Sequence, residues 1–154
     1  MKNPTLGYED GQEITKSELG RIQLVEAINL FLNKNFICAI TLAGASEAIF
    51  SGILSNLGIP TATEQTIEHV EKIREVTGLQ VAEGLPKNKI FNVWNSARND
   101  LKHHSKGEPD RITLNLFDEA YWLIRRALEN SRAASIHIEN SQEFENWVIE
   151  NICM

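Results

Sequence analysis

Eight consecutive residues, Ala97-Arg98-Asn99-Asp100-Leu101-Lys102-His103-His104, bring together a guanidinium, an amide, a carboxylate, an ammonium and two imidazoles. These types suit proton transfer beside a phosphate. An imidazole titrates near neutrality and so both takes and gives protons, while a guanidinium is always charged and grips phosphate oxygens in bidentate fashion. RNA supplies the rest of such a reaction, since its 2′-hydroxyl attacks the adjacent phosphorus once a base removes the proton. In that chemistry His103 is the acid or base, Arg98 holds the phosphate, Asn99 orients His103 or the RNA, and Lys102 and His104 are supporting groups. The choice between His103 and His104 stays open. A metal site is a poorer use of the same residues, because Asp100 and His104 at i, i+4 supply two ligands and a closed site takes four. No metal or cofactor is expected.

The residues ahead of this run mount it on a helix. Ile90, Val93, Trp94, Ala97 and Leu101 recur at i, i+3, i+4, i+7 and i+11, one apolar face of an amphipathic helix packed on a core. At ~100° per residue Arg98 falls at one edge of that face, and Asn99 and His103 share the opposite side as an i, i+4 pair. Arg98 and His103 then meet only through the length of the arginine, through fraying near His103, or across an interface with a second chain. A helix end is the simpler account of the same run. Lys102, His103, His104 and Lys106 would face the negative end of the macrodipole, and Gly107 would take the left-handed cap. That account serves Arg98 and Asn99 less well, because they precede the last turn, and the two accounts are compatible.

The remaining elements read as helices. Residues 1–14 mix Gly, Pro and acids without periodicity and form an irregular arm, and residues 15–154 form a single helical domain. Thr15-Lys16-Ser17-Glu18 has the capping-box form and opens a helix ending near Asn33. Asn35 caps a second helix, apolar on nearly every face and therefore central, which closes with Gly58 and Pro60. Within it Ala43, Gly44, Ala45 and Ser46 allow close approach of a neighbour, and Glu47 is the odd carboxylate. A buried charge needs a partner, so Glu47 is expected to face Arg98, or otherwise Arg125 or Arg126, the alternative being a narrow exposed strip. Thr61-Ala62-Thr63-Glu64 starts a peripheral helix ending by Gly78, and residues 84–88 lead into the motif helix. A short extended piece is sufficient for residues 112–116. Asp118 can cap the next helix, whose Arg125, Arg126 and Arg132 lie on or near its outer faces, and a last short helix runs from Ser141 to Asn151.

Arg98, Asn99 and His103, in that order and spacing late in a helix of an all-helical chain, resemble the R-N-x-x-x-H signature of the HEPN superfamily. His104 also falls within the spacing that the family permits, and the Ala43-Gly44-Ala45-Ser46-Glu47 segment fits the polar or acidic residue that HEPN proteins often carry on an early core helix. The resemblance implies an all-α, HEPN-like bundle of about five to six helices. It implies a metal-independent endoribonuclease of the kind found in toxin, phage-defence and RNA-processing systems. It further implies a homodimer whose two motifs face one cleft, with an antitoxin or a nucleotidyltransferase as a potential partner. The alternative is a non-catalytic helical module that binds a protein partner or a nucleotide, as some members do.

Composition limits the choice. A chain of 154 residues, 42% hydrophobic and 23% charged, has room for one core. Its net charge of −6 argues against a general nucleic-acid coat, whose affinity comes from neutralising phosphates. The charge is unevenly distributed: residues 61–83 carry five acids against two bases, residues 135–154 carry four acids and no Lys or Arg, and residues 84–111 carry six bases against three acids. The one basic segment coincides with the motif, as expected for a local phosphate-binding patch. Cys38 and Cys153 form neither a metal spacing nor a redox pair. Met1-Lys2-Asn3-Pro4 has no signal-peptide core, and no membrane span is expected, so the expected compartment is the cytoplasm.

Overall fold

The computed structural model describes residues 4–153, so residues 1–3 of the expected arm and Met154 lie outside the described residues. Six α-helices follow one another: α1 (Lys16–Leu32), α2 (Phe36–Leu57), α3 (Ala62–Thr77), α4 (Lys87–Asp100), α5 (Leu116–Ala133) and α6 (Ser141–Asn151). A short 3-10 turn, Val81–Gly84, precedes α4, and no strand occurs among the described residues. The fold is an all-α bundle.

Local chemistry sets most of the helix ends. The Thr15 hydroxyl accepts from the Glu18 N–H, and the Asn35 side chain accepts from the Cys38 N–H, each satisfying a donor that the first turn of a helix leaves free. Thr61 and Glu64 form a reciprocal capping box at 3.2 and 2.9 Å. Gly58 and Gly78 close α2 and α3 in the left-handed conformation, where a Cβ would be strained. At α5 the expected cap shifts by three residues. Asn115, not Asp118, is the N-cap: its side-chain oxygen accepts from the Asp118 N–H at 3.1 Å, and its amide donates to the Asp118 carboxylate at 2.7 Å.

The core lies where α1, α2 and α5 pack on one another, around Leu24, Ile28, Phe31, Ile40, Phe50, Ile124 and Leu128, and α6 closes it with Phe144 and Val148. By length and composition α2 alone among these helices is apolar enough to cross a membrane. In the bundle it packs on α1 and α5 and carries buried Ser46 and Glu47, while Ile37, Gly52 and Leu57 mark a side that stays exposed. The Ser46 hydroxyl donates to the Gly20 carbonyl at 2.8 Å, which ties α2 to α1.

Helix α4 sits differently from the other carriers of the core. Its buried residues are Ile90 and Ala97, while Val93 is 56% exposed and Trp94 and Leu101 are half-buried. The apolar face expected over residues 90–101 is therefore narrower than its spacing suggests. Beside Ile90 and Ala97, two polar links tie α4 to the bundle: Arg98 bonds Glu47 of α2, and the Trp94 carbonyl accepts from Arg126 of α5.

Candidate functional site

Glu47 is the centre of the site. It lies on α2 with its side chain 8% exposed, and Arg98 of α4 donates from Nη1 to its Oε2 at 2.9 Å. The other carboxylate oxygen, Oε1, accepts from the Ser51 hydroxyl at 2.9 Å and from the Asn130 amide at 3.4 Å. Burial of a carboxylate is tolerable only with a counter-charge and hydrogen bonds to both oxygens, and α2, α4 and α5 each supply part of that.

Gly44, one turn before Glu47 on α2, makes the seat. A Cβ built there would stand 2.5 Å from Arg98 Cδ and 2.6 Å from its Cγ, so the arginine stem runs directly across the glycine. The run of small residues thus has a specific use, which is to let the stem of Arg98 lie flat on α2 and bring its guanidinium to Glu47.

Asn130 extends the site to a fourth helix. It is fully buried, its Oδ1 accepts the Ala62 N–H at the start of α3 at 2.7 Å, and its Nδ2 donates to Ser51 Oγ at 3.1 Å as well as to Glu47. One residue therefore satisfies an orphan donor of α3 and orients the groups around the buried carboxylate. The sequence signal for it was present but indirect: Asn130 falls three residues after Ala127, on the edge of the core stripe of α5.

Arg126 is the second residue whose place the sequence did not reveal. Expected on or near an outer face of α5, or otherwise as the partner of Glu47, it lies half-buried against α4, with Nη2 donating to the Trp94 carbonyl at 3.1 Å. Its Nε and Nη1, and Nε of Arg98, are buried without a hydrogen-bond partner. Burial holds the Arg126 guanidinium below its ordinary range, Glu47 opposes that shift, and the neighbouring Arg98 adds to it. Glu119, half-buried on α5, is pushed up by its own burial and drawn back by Arg126. Arg125 and Arg132 take no part here, because both pair with Glu145 of α6 at 2.7 and 2.9 Å.

The imidazoles stand apart from this cluster. Helix α4 ends at Asp100, so Asn99 and His103 do not share a helical face. Lys102 N–H turns back to the Asn99 carbonyl at 3.0 Å, and His103 and His104 follow on an irregular exposed segment. Asn99 and Lys102 are also exposed. Gly107 does not cap the helix either. With φ +88° it is the third residue of a separate turn in which the Glu108 N–H reaches the Ser105 carbonyl at 3.1 Å, and the Glu108 carboxylate accepts from the Ser105 N–H at 2.7 Å. The helix does stop short of His103, yet Arg98 turns inward to Glu47 while the histidines remain on the surface.

Two surface clefts open elsewhere, one lined by Ser55, Gly58, Glu64, Glu68 and Lys87 among others, the second by Pro86, Lys87, Asn88, Phe91 and Asn92. Neither of these two is lined by Arg98 or His103. Among the described residues no group of three or more His, Cys, Asp or Glu is placed to hold a metal. No family model matches this chain, and comparison with curated proteins and with solved structures gives no significant match.

Proposed function

We propose that the chain is a metal-independent endoribonuclease of HEPN type, acting as a homodimer in the cytoplasm. The observation that carries this reading is the division of labour around the end of α4. Arg98 is anchored by a buried carboxylate, and five and six residues later His103 and His104 are exposed on a segment free of helical constraint. A guanidinium for the phosphate and accessible imidazoles for the proton are the two kinds of group that transesterification of RNA requires, and one short stretch of chain carries both.

In the step itself the 2′-oxygen forms a bond to the adjacent phosphorus while its proton passes to the neutral imidazole of His103. The bond from phosphorus to the 5′-oxygen breaks, and that oxygen takes a proton from a second imidazolium. The products are a 2′,3′-cyclic phosphate and a 5′-hydroxyl. A dimer with facing motifs supplies the second imidazole from the other copy. Lys102, Lys106 and Arg111 lie exposed on the same segment and add phosphate contacts, and Asn99 orients the RNA. A toxin or phage-defence role, with an antitoxin or a nucleotidyltransferase as partner, follows from the resemblance alone.

A non-catalytic module that binds a protein or a nucleotide is the second reading. It is favoured by the commitment of Arg98 to Glu47, which leaves the arginine side chain 17% exposed. Cleavage of mixed-sequence RNA in excess EDTA separates the two readings, using wild type, His103→Ala and His104→Ala, each checked for fold and dimerisation. Cyclic-phosphate ends from wild type, lost in one or both variants, are the expected result. No cleavage by wild type, or undiminished cleavage by both variants, would leave the binding module.

A further inference from the structure

We infer that Arg126 is the reserve counter-ion of Glu47, taking over that carboxylate when Arg98 turns outward to a phosphodiester oxygen. The inference rests on the ribonuclease reading for what draws Arg98 away, and on the geometry of α2, α4 and α5 for what replaces it.

The need for a replacement follows from the burial of Glu47. In the structure Arg98 is the one cation within ion-pair distance of it among the described residues. An arginine that remains on Glu47 presents little of its fork to RNA. Were it simply to leave, Glu47 would keep the Ser51 and Asn130 donors but would have no positive charge beside it, and a buried carboxylate without a counter-charge is strongly disfavoured. Release of Arg98 would then oppose RNA binding.

Arg126 has the position and the free valence to prevent this. It sits one helical turn before Asn130 on α5, so the two side chains rise from neighbouring points about 5–6 Å apart. The Asn130 amide already reaches Glu47, and an arginine side chain is long enough to cover the added distance. Two of its donors, Nε and Nη1, are buried and unpartnered, which is a costly state for N–H groups and one that a carboxylate would relieve. Among the described residues its one side-chain hydrogen bond runs to the Trp94 carbonyl, one turn before Arg98 on the same helix α4. The bond that holds Arg126 is thus made to the same helix that carries Arg98. Glu119 lies two turns before Arg126 on α5, and no ion pair links the two. Arg126 is in this sense a positioning residue: it acts on RNA through Arg98 and does not touch it.

A double-mutant cycle on the full chain tests this without recourse to catalysis. Urea unfolding is measured for Arg98→Met, Arg126→Met and the double variant, and again for all of these on a Glu47→Gln background. Arg126 covers for a missing Arg98, so the double variant is expected to shift the unfolding constant about tenfold or more beyond the product of the single effects. That excess is expected to vanish with Glu47→Gln, where no charge needs cover. Multiplicative effects, or an excess that persists with Glu47→Gln, would overturn the inference. If the double variant does not fold, Arg98→Met answers alone by NMR: the Arg126 Nε–H is expected to exchange more slowly than in wild type, and an unchanged rate would overturn the inference. Wild-type protein that cleaves no RNA overturns the ribonuclease reading instead, so the two fail separately.

Discussion

Alanine at Gly44 sets two effects of opposite sign against each other within α2. Away from any neighbour, Gly→Ala inside a helix stabilises by about 0.5–1 kcal/mol, because the unfolded chain loses freedom. At Gly44 the new Cβ would stand 2.5 Å from Arg98 Cδ and 2.6 Å from its Cγ, whereas carbon atoms rest at about 3.5–4.0 Å. The arginine stem must therefore move by roughly 1 Å or more, judged from that contact distance. Overpacking of this kind costs about 1–3 kcal/mol, and the displaced stem also stretches the 2.9 Å contact to Glu47. The clash wins. The difference between those two ranges spans about 0–2.5 kcal/mol, and the net expectation is a destabilisation near its middle, about 1 kcal/mol. Gly52 is the internal control, since it lies on the same helix, is exposed, and has no atom within 4 Å of a built Cβ. Thermal unfolding reads both variants, at about 2–4 °C per kcal/mol for a domain of this size. Gly52→Ala is expected to raise Tm by a few degrees and Gly44→Ala to lower it. A Tm that rises equally in both would refute the seating of Arg98 against α2.

Two further perturbations probe the polar framework. Asn130→Ala removes the acceptor for the Ala62 N–H and a donor to Glu47, and is expected to cost about 1–3 kcal/mol by urea titration, the usual range for buried groups left unpaired; a neutral result would mean that α3 does not depend on this link. At the far side of α5, burial alone would push the Glu145 carboxyl up, but the hydrogen bonds and charges of Arg125 and Arg132 together hold it below its ordinary value. A carboxyl lowered on folding stabilises the native state above its unfolded pKa and loses that contribution as pH falls through its folded pKa. Stability measured from pH 6 downward, about two units above the ordinary Glu value, should therefore decline into acid less steeply in Glu145→Gln than in wild type. Parallel curves would contradict the pairing.

Most helix ends were legible in the sequence because capping is a local affair. Thr15, Asn35 and the Thr61/Glu64 box each bond within three residues along the chain, and Gly58 and Gly78 need only their own backbone angle. The misplaced cap of α5 shows the limit of that logic, since Asn115 and Asp118 both suit the position and the choice of Asn115 admits one more reciprocal hydrogen bond. The burial of α4 was overestimated for a different reason. A period of 3.6 shows which residues share a face, but it does not show how much of the bundle is there to cover that face, and Val93 is left in water.

What the sequence determined by itself is an all-helical chain with a strongly apolar second helix, one carboxylate within that helix, and a basic segment that carries an arginine and two histidines. Periodicity, end chemistry and charge are one-dimensional properties, and they survive without knowledge of packing. Only the tertiary structure decided that Glu47 takes Arg98 rather than Arg125 or Arg126, that Gly44 is the floor beneath the arginine, and that Asn130 joins the cluster to α3. It also decided that Arg126 turns inward with donors unpaired while His103 and His104 stay outside. The physical reason is the angle and register at which α4 and α5 meet α2: side chains 51 and 83 residues distant from Glu47 in sequence reach it through those crossings alone.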